Sequence, residues 1–104
     1  VAAWSLRRQR RGLRSELRDE LPPWLYHALV TPGGRLRARW RALRAEGLDG
    51  WWRTRQLHQR CAELAFRKME RRRRSDDSDL SEEIERLRAV IRALMTRAAS
   101  GGAA

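Results

Sequence analysis

The sequence predicts an all-α chain: a small bundle of three to four helices with a C-terminal amphipathic helix after an acidic linker. Three observations predict it. Apolar residues recur at three- and four-residue steps along most of the chain, the period of a helix with one buried face. Pro22-Pro23, Pro32-Gly33-Gly34 and Gly47 separate the periodic stretches. An SDDSD run, Ser75–Asp79, divides them from a final stretch with strict heptad spacing. The expected parts are a basic juxtamembrane-like helix (1–21), a helical core (22–74), an acidic linker (75–79), an amphipathic heptad helix (80–98) and a flexible tail (99–104).

Val1–Leu6, VAAWSL, is apolar with an interfacial-type tryptophan, and RRQRR follows at Arg7–Arg11. That order is expected where a membrane helix leaves the bilayer on the cytoplasmic side. Leu13, Leu17 and Leu21 continue a helical pattern until Pro22-Pro23 ends it. Pro23 then suits the first position of a short helix, Trp24–Val30, with Trp24, Leu25, Ala28 and Leu29 on one side.

Thr31-Pro32 reads as an N-cap hydroxyl followed by a helix-starting proline. The helix it opens is expected from Arg35 to Glu46, with Leu36, Trp40, Leu43 and Gly47 as its apolar stripe and arginines on the other faces. Gly47 is the natural stop. Asp49 is expected to cap the next helix, Gly50 to Arg72, with Leu48 as a staple residue. On that helix Leu57, Cys61, Leu64 and Ala65 form one row, flanked by His58, Ala62 and Met69, wide enough to centre a small core. Asp79 and Glu82 form a box-like start for the last helix. Leu80, Ile84, Leu87, Ile91, Leu94 and Ala98 follow four-three spacing, a seam of two to three heptads. The first five of these are the candidate seam for a partner helix, although docking on the Leu57/Cys61/Leu64 face competes for them.

The chain has 24 basic and 13 acidic residues, and Lys68 is its one lysine. Residues 1–74 carry net +13 and residues 75–104 net −2. An acidic partner is implied: an anionic membrane surface, nucleic acid, or the chain's own tail. Arg7, Arg8, Arg10, Arg11 and Arg14 are the candidate contacts to an anionic surface. Nucleic-acid binding is expected to be non-specific, because no helix-turn-helix or comparable signature is present. Tryptophans interleave with the arginines, but Trp40 and one of Trp51 and Trp52 are better used as core in so small a chain.

No catalytic residue and no cofactor is expected. His58 and Cys61 are three apart on one helix, but structural zinc takes four ligands and no second pair exists. A cysteine on an apolar helix face is inert as a nucleophile. Gly33-Gly34 lacks the GK[ST] of a phosphate loop, and Glu82, Glu83 and Glu85 are helix N-terminal charges. One cysteine excludes an intramolecular disulfide. The start at Val1 reads as a fragment of a longer chain.

The succession RRQRR, LPPWLYHALVTP, RLRARWRALR and LHQRCAELAFRKMERR resembles the cytoplasmic C-terminal region of actinobacterial PrsW-type intramembrane metalloproteases. The best-matching residues are Leu21, Pro22, Trp24 and Ala62–Arg67, AELAFR, within a likeness that covers residues 4–98. The membrane motifs that carry metal and catalysis in that family have no counterpart here. The resemblance implies a non-catalytic cytosolic tail of a multi-pass protein, on the cytoplasmic side of a bacterial inner membrane, with a scaffolding or regulatory role. The alternatives are a free-standing basic module that binds nucleic acid, and an interaction protein that self-associates through Leu80–Leu94.

Overall fold

The computed structural model describes residues 12–74 and 78–103, the last six as helix backbone only. Among them are five helices and no strand. They are α1 (residues 12–17), α2 (Pro23–Val30), α3 (Gly34–Glu46), α4 (Leu48–Arg73) and α5 (Ser78–Ala103). The fold is thus an all-α bundle, and α4 is its axis, with α3 and α5 packed along it.

The core follows the periodic leucines. Leu13, Leu17 and Leu21 from α1 and its following turn meet Leu25 and Leu29 of α2. They pack with Leu57, Cys61, Leu64 and Ala65 of α4 and with Ile84, Leu87, Ile91 and Leu94 of α5. Leu17, Leu25, Leu64, Ile84 and Cys61 are the side chains most completely removed from solvent. The five seam residues assigned to a partner helix, Leu80, Ile84, Leu87, Ile91 and Leu94, are therefore buried within this chain. A seam of two to three heptads is marginal for an isolated pair of helices, and an apolar face on the same chain covers it without loss of translational freedom.

Several boundaries differ from expectation for local reasons. Thr31 does not cap α3. It ends α2, donating its backbone N–H to His27 O at 3.0 Å. The residue before α3 is Gly33 at φ 72° and ψ 1°, a left-handed turn that glycine adopts without penalty. Asp49 is not an N-cap either. The helix starts one residue earlier than Asp49, at Leu48, and no side chain caps it. Asp49 instead lies in the first turn, where a carboxylate opposes the helix dipole favourably. Leu48 is exposed and staples nothing. The last helix begins at Ser78 and continues through 99–103, the stretch read as a flexible tail.

A single residue, Gly47, joins α3 to α4. Its φ of 73° and ψ of −157° turn the chain back, and its N–H donates to Leu43 O at 2.8 Å. The two helices then lie very close. A Cβ at Gly50 would stand 2.6 Å from Ala42 O and 2.8 Å from Glu46 Cβ, so only glycine fits. This approach decides which side of α3 turns inward. Ala38 and Ala42 are half-buried, while the expected stripe residues Leu36 and Trp40 are 52% and 48% exposed. Trp24, expected on one side of α2 with Leu25, Ala28 and Leu29, is 59% exposed while Leu25 and Leu29 are buried.

An ionic clamp ties α1 and the turn after it to α4 and α5. Glu16 is 3% exposed and forms an ion pair with Arg72, Nε to Oε1 at 2.9 Å. Lys68 Nζ donates to the backbone carbonyl of Glu16 at 2.7 Å and to Glu20 Oε1 at 3.0 Å. It also stands 3.6 Å from Glu16 Oε2, an ion-pair distance. Arg88 of α5 forks onto Glu20, Nε to Oε2 at 3.1 Å and its terminal nitrogen to Oε1 at 2.6 Å. The Arg88 fork holds the Glu20 carboxyl below its ordinary value, against the opposing effect of burial. Arg67 Nε adds a 3.0 Å link from α4 to Glu83 of α5. Lysine suits the central place: a compact ammonium can serve a carbonyl at a helix end and a carboxylate at once.

Candidate functional site

The outward half of α3 is the most distinctive surface of the chain. Each helical residue turns the side chain by about 100°, which puts Leu36, Trp40, Arg44, Arg37 and Arg41 side by side in that order around the helix. All five are exposed. Trp51 of α4 meets Trp40 edge-on, with ring centroids 5.3 Å apart and planes at 73°, and so fixes the outer indole. Arg39 lies over the Trp51 ring at 5.4 Å. Among the described residues Arg37, Arg41 and Arg44 form no ion pair, and a shallow hollow lies between them and Trp40.

A deeper cleft of about 580 Å³ adjoins this face, between α2, α3 and the middle of α4. Arg37 and Arg41 belong to both hollows. Arg37 donates to Pro32 O at 3.1 Å, which orients its guanidinium. Trp24 and His27 stand on the α2 side, and Thr54 and His58 on the α4 side. Among the described residues no aspartate or glutamate lines the cleft.

His58 is 4% exposed and its Nδ1 has no hydrogen-bond partner. Burial first, then the nearby Arg35 and Arg39, push its pKa down to about 4, so the ring is neutral at physiological pH. Cys61, one turn further on, is fully buried, and burial pushes the thiol up to about 12. A thiol so held is not a nucleophile. Among the described residues no three of His, Cys, Asp and Glu converge as a metal site. No described helix is long and apolar enough to cross a membrane.

Of the arginines assigned to an anionic surface, Arg14 is exposed on α1. Arg7, Arg8, Arg10 and Arg11 lie outside the described residues, as does Val1–Leu6. The surface on α3 escaped sequence reasoning because Leu36 and Trp40 satisfy the pattern of a buried stripe. The signal that could have found it was the small opposite face, Ala38 and Ala42, facing Gly50 across one tight turn. His27 and His58, distant in sequence, meet at one cleft only through the fold.

Comparison with protein families, with curated proteins and with solved structures gives no match for this chain.

Proposed function

We propose that this chain is a non-catalytic helical module that docks on the anionic cytoplasmic face of a bacterial inner membrane. The carrying observation is the outward half of α3, where an exposed leucine and indole lie beside three arginines that form no ion pair among the described residues. A leucine and a tryptophan can enter the boundary between headgroups and acyl chains while guanidiniums stay among the phosphates. Exposed Leu36 favours this reading over nucleic acid, since an aliphatic side chain gives bases no face to stack on. A tail of a PrsW-type protein would present such a module next to its last span. That closer assignment rests on the order of sequence features and on AELAFR alone.

The test is flotation with vesicles of phosphatidylglycerol and phosphatidylcholine. Each basic residue near an anionic surface contributes about 1 kcal/mol. Replacing Arg37, Arg41 and Arg44 together by Gln is therefore expected to weaken binding on the order of a hundredfold. Charge reversal at Arg7, Arg8, Arg10 and Arg11 is expected to weaken it too. Trp40→Ala lowers the affinity and removes the blue shift of tryptophan emission on vesicles. Equal binding to neutral and anionic vesicles, or binding only to single-stranded oligonucleotide, overturns the reading.

A further inference from the structure

The cleft beneath Arg37 and Arg41 has features the membrane reading does not use. A flat bilayer reaches the outer stripe of α3 but cannot enter a hollow whose wall includes a side chain 4% exposed. The volume, about 580 Å³, falls within the ordinary range of small-molecule sites. The polar groups there are unevenly distributed. Two guanidiniums stand at the α3 rim, and among the described residues no carboxylate lines the cleft opposite them. They are four residues apart on one helix face, the spacing that brings side chains together. One of them is pre-oriented by Pro32 O.

Across the cleft the Trp24 indole stands half in water with no aromatic partner among the described residues. His58 keeps a buried nitrogen without a hydrogen bond, a cost that native structures rarely leave without a reason. Thr54 adds a hydroxyl one turn before it on α4. Two forked cations, with no anion beside them among the described residues, match the three oxygens of a phosphate better than one carboxylate. An exposed indole on the α2 side of the same cleft matches a flat ring.

The geometry points to this cleft as a binding site for a ring-bearing phosphate of mononucleotide size, with the phosphate between Arg37 and Arg41, the ring on Trp24, and Thr54 and His58 lining the inner end. The site is separate from the outer stripe except for the two shared arginines. A ligand held there would occupy guanidiniums that otherwise face lipid phosphate, so ligand and membrane compete for Arg37 and Arg41.

The experiment is isothermal titration of the whole chain with adenosine 5′-monophosphate, adenosine and inorganic phosphate, beside nitrogen-15 NMR of the histidine rings. Saturable binding of the monophosphate is expected, at least about tenfold tighter than either half alone, with the His58 ring resonances shifted. Trp24→Ala should weaken it about tenfold, the scale of one base stacked on an aromatic ring. Arg41→Gln should weaken it by a similar factor. Trp40→Ala should leave it unchanged while reducing vesicle binding, and Trp24→Ala should do the reverse. That crossed pair separates a failure of this site from a failure of membrane docking. No saturable binding at millimolar monophosphate overturns the proposal. So does binding that inorganic phosphate matches, or that is the same in Trp24→Ala as in the unaltered chain.

Discussion

Replacing Lys68 by Met tests whether the ionic clamp holds α1 and its following turn onto α4 and α5. Methionine keeps most of the apolar stem and removes the ammonium, so the change isolates the charge. Three contacts disappear: the 2.7 Å bond to Glu16 O, the 3.0 Å bond to Glu20 Oε1 and the 3.6 Å ion pair with Glu16. A hydrogen bond to a charged group contributes about 1.5–3 kcal/mol, and stripping one partner from a buried pair costs about 3–5 kcal/mol. Here the loss is moderated, because Glu16 keeps Arg72 and Glu20 keeps Arg88. The expected destabilisation is therefore about 2–3 kcal/mol, a large share of the stability of a chain this short. It corresponds to a fall in Tm of about 10–20 °C. Urea unfolding followed by far-UV circular dichroism measures it, and the m-value should stay unchanged. Lys68→Arg should fall between the two. A loss below about 0.5 kcal/mol, the range of exposed ion pairs, would refute the clamp.

Three further outcomes follow from the same structure. Gly50→Ala gains helix propensity but drives a Cβ to 2.6 Å from Ala42 O, so it should destabilise by about 1–2 kcal/mol net; a stabilised variant would show that α3 and α4 are not in that contact. His58 has its folded pKa depressed to about 4 from 6.5, so the unfolded chain binds the extra proton between those values. Stability should thus be full above pH 6.5 and decline by about 3 kcal/mol as pH falls towards 4. Urea melts across that window should show a clearly steeper slope in the native chain than in His58→Gln, which keeps only the slope of the depressed Glu20 carboxyl at the acid end; an equal slope in both contradicts the assignment. Cys61, buried with its thiol pushed up to about 12, should resist a maleimide in the folded chain and react at the rate of opening; labelling within seconds in the absence of denaturant would place it at the surface.

The periodic leucines were legible in the sequence because burial imposes them directly. Leu13, Leu17 and Leu21, the Leu57/Cys61/Leu64 row and the Leu80–Leu94 seam can each reach a core only at helical spacing, whatever the topology. The break at Pro22-Pro23 and the turn at Gly47 were legible for a similarly local reason, the backbone conformations those residues permit or forbid. What could not be read was the partner of each face. The seam of α5 has the same spacing whether it meets a second chain or α4, and only the proximity of an apolar face on the same chain decided for α4.

The rim of the candidate site was illegible for the same reason. Leu36 and Trp40 make a stripe by spacing, yet their exposure was set elsewhere, by Gly50 admitting the alanine side of α3 against α4. Sequence alone therefore determined the helices, the ends of α2, α3 and α4 to within two residues, and the basic character, whereas α1 stops four residues short of Leu21 and α5 runs five residues past Ala98. The tertiary structure decided which face of α3 looks outward, which glutamates Lys68 gathers, and that Arg37, Arg41, Trp24 and His58 share one cleft. Helix formation depends on neighbours along the chain, whereas the choice between two packable faces depends on how closely two backbones can approach.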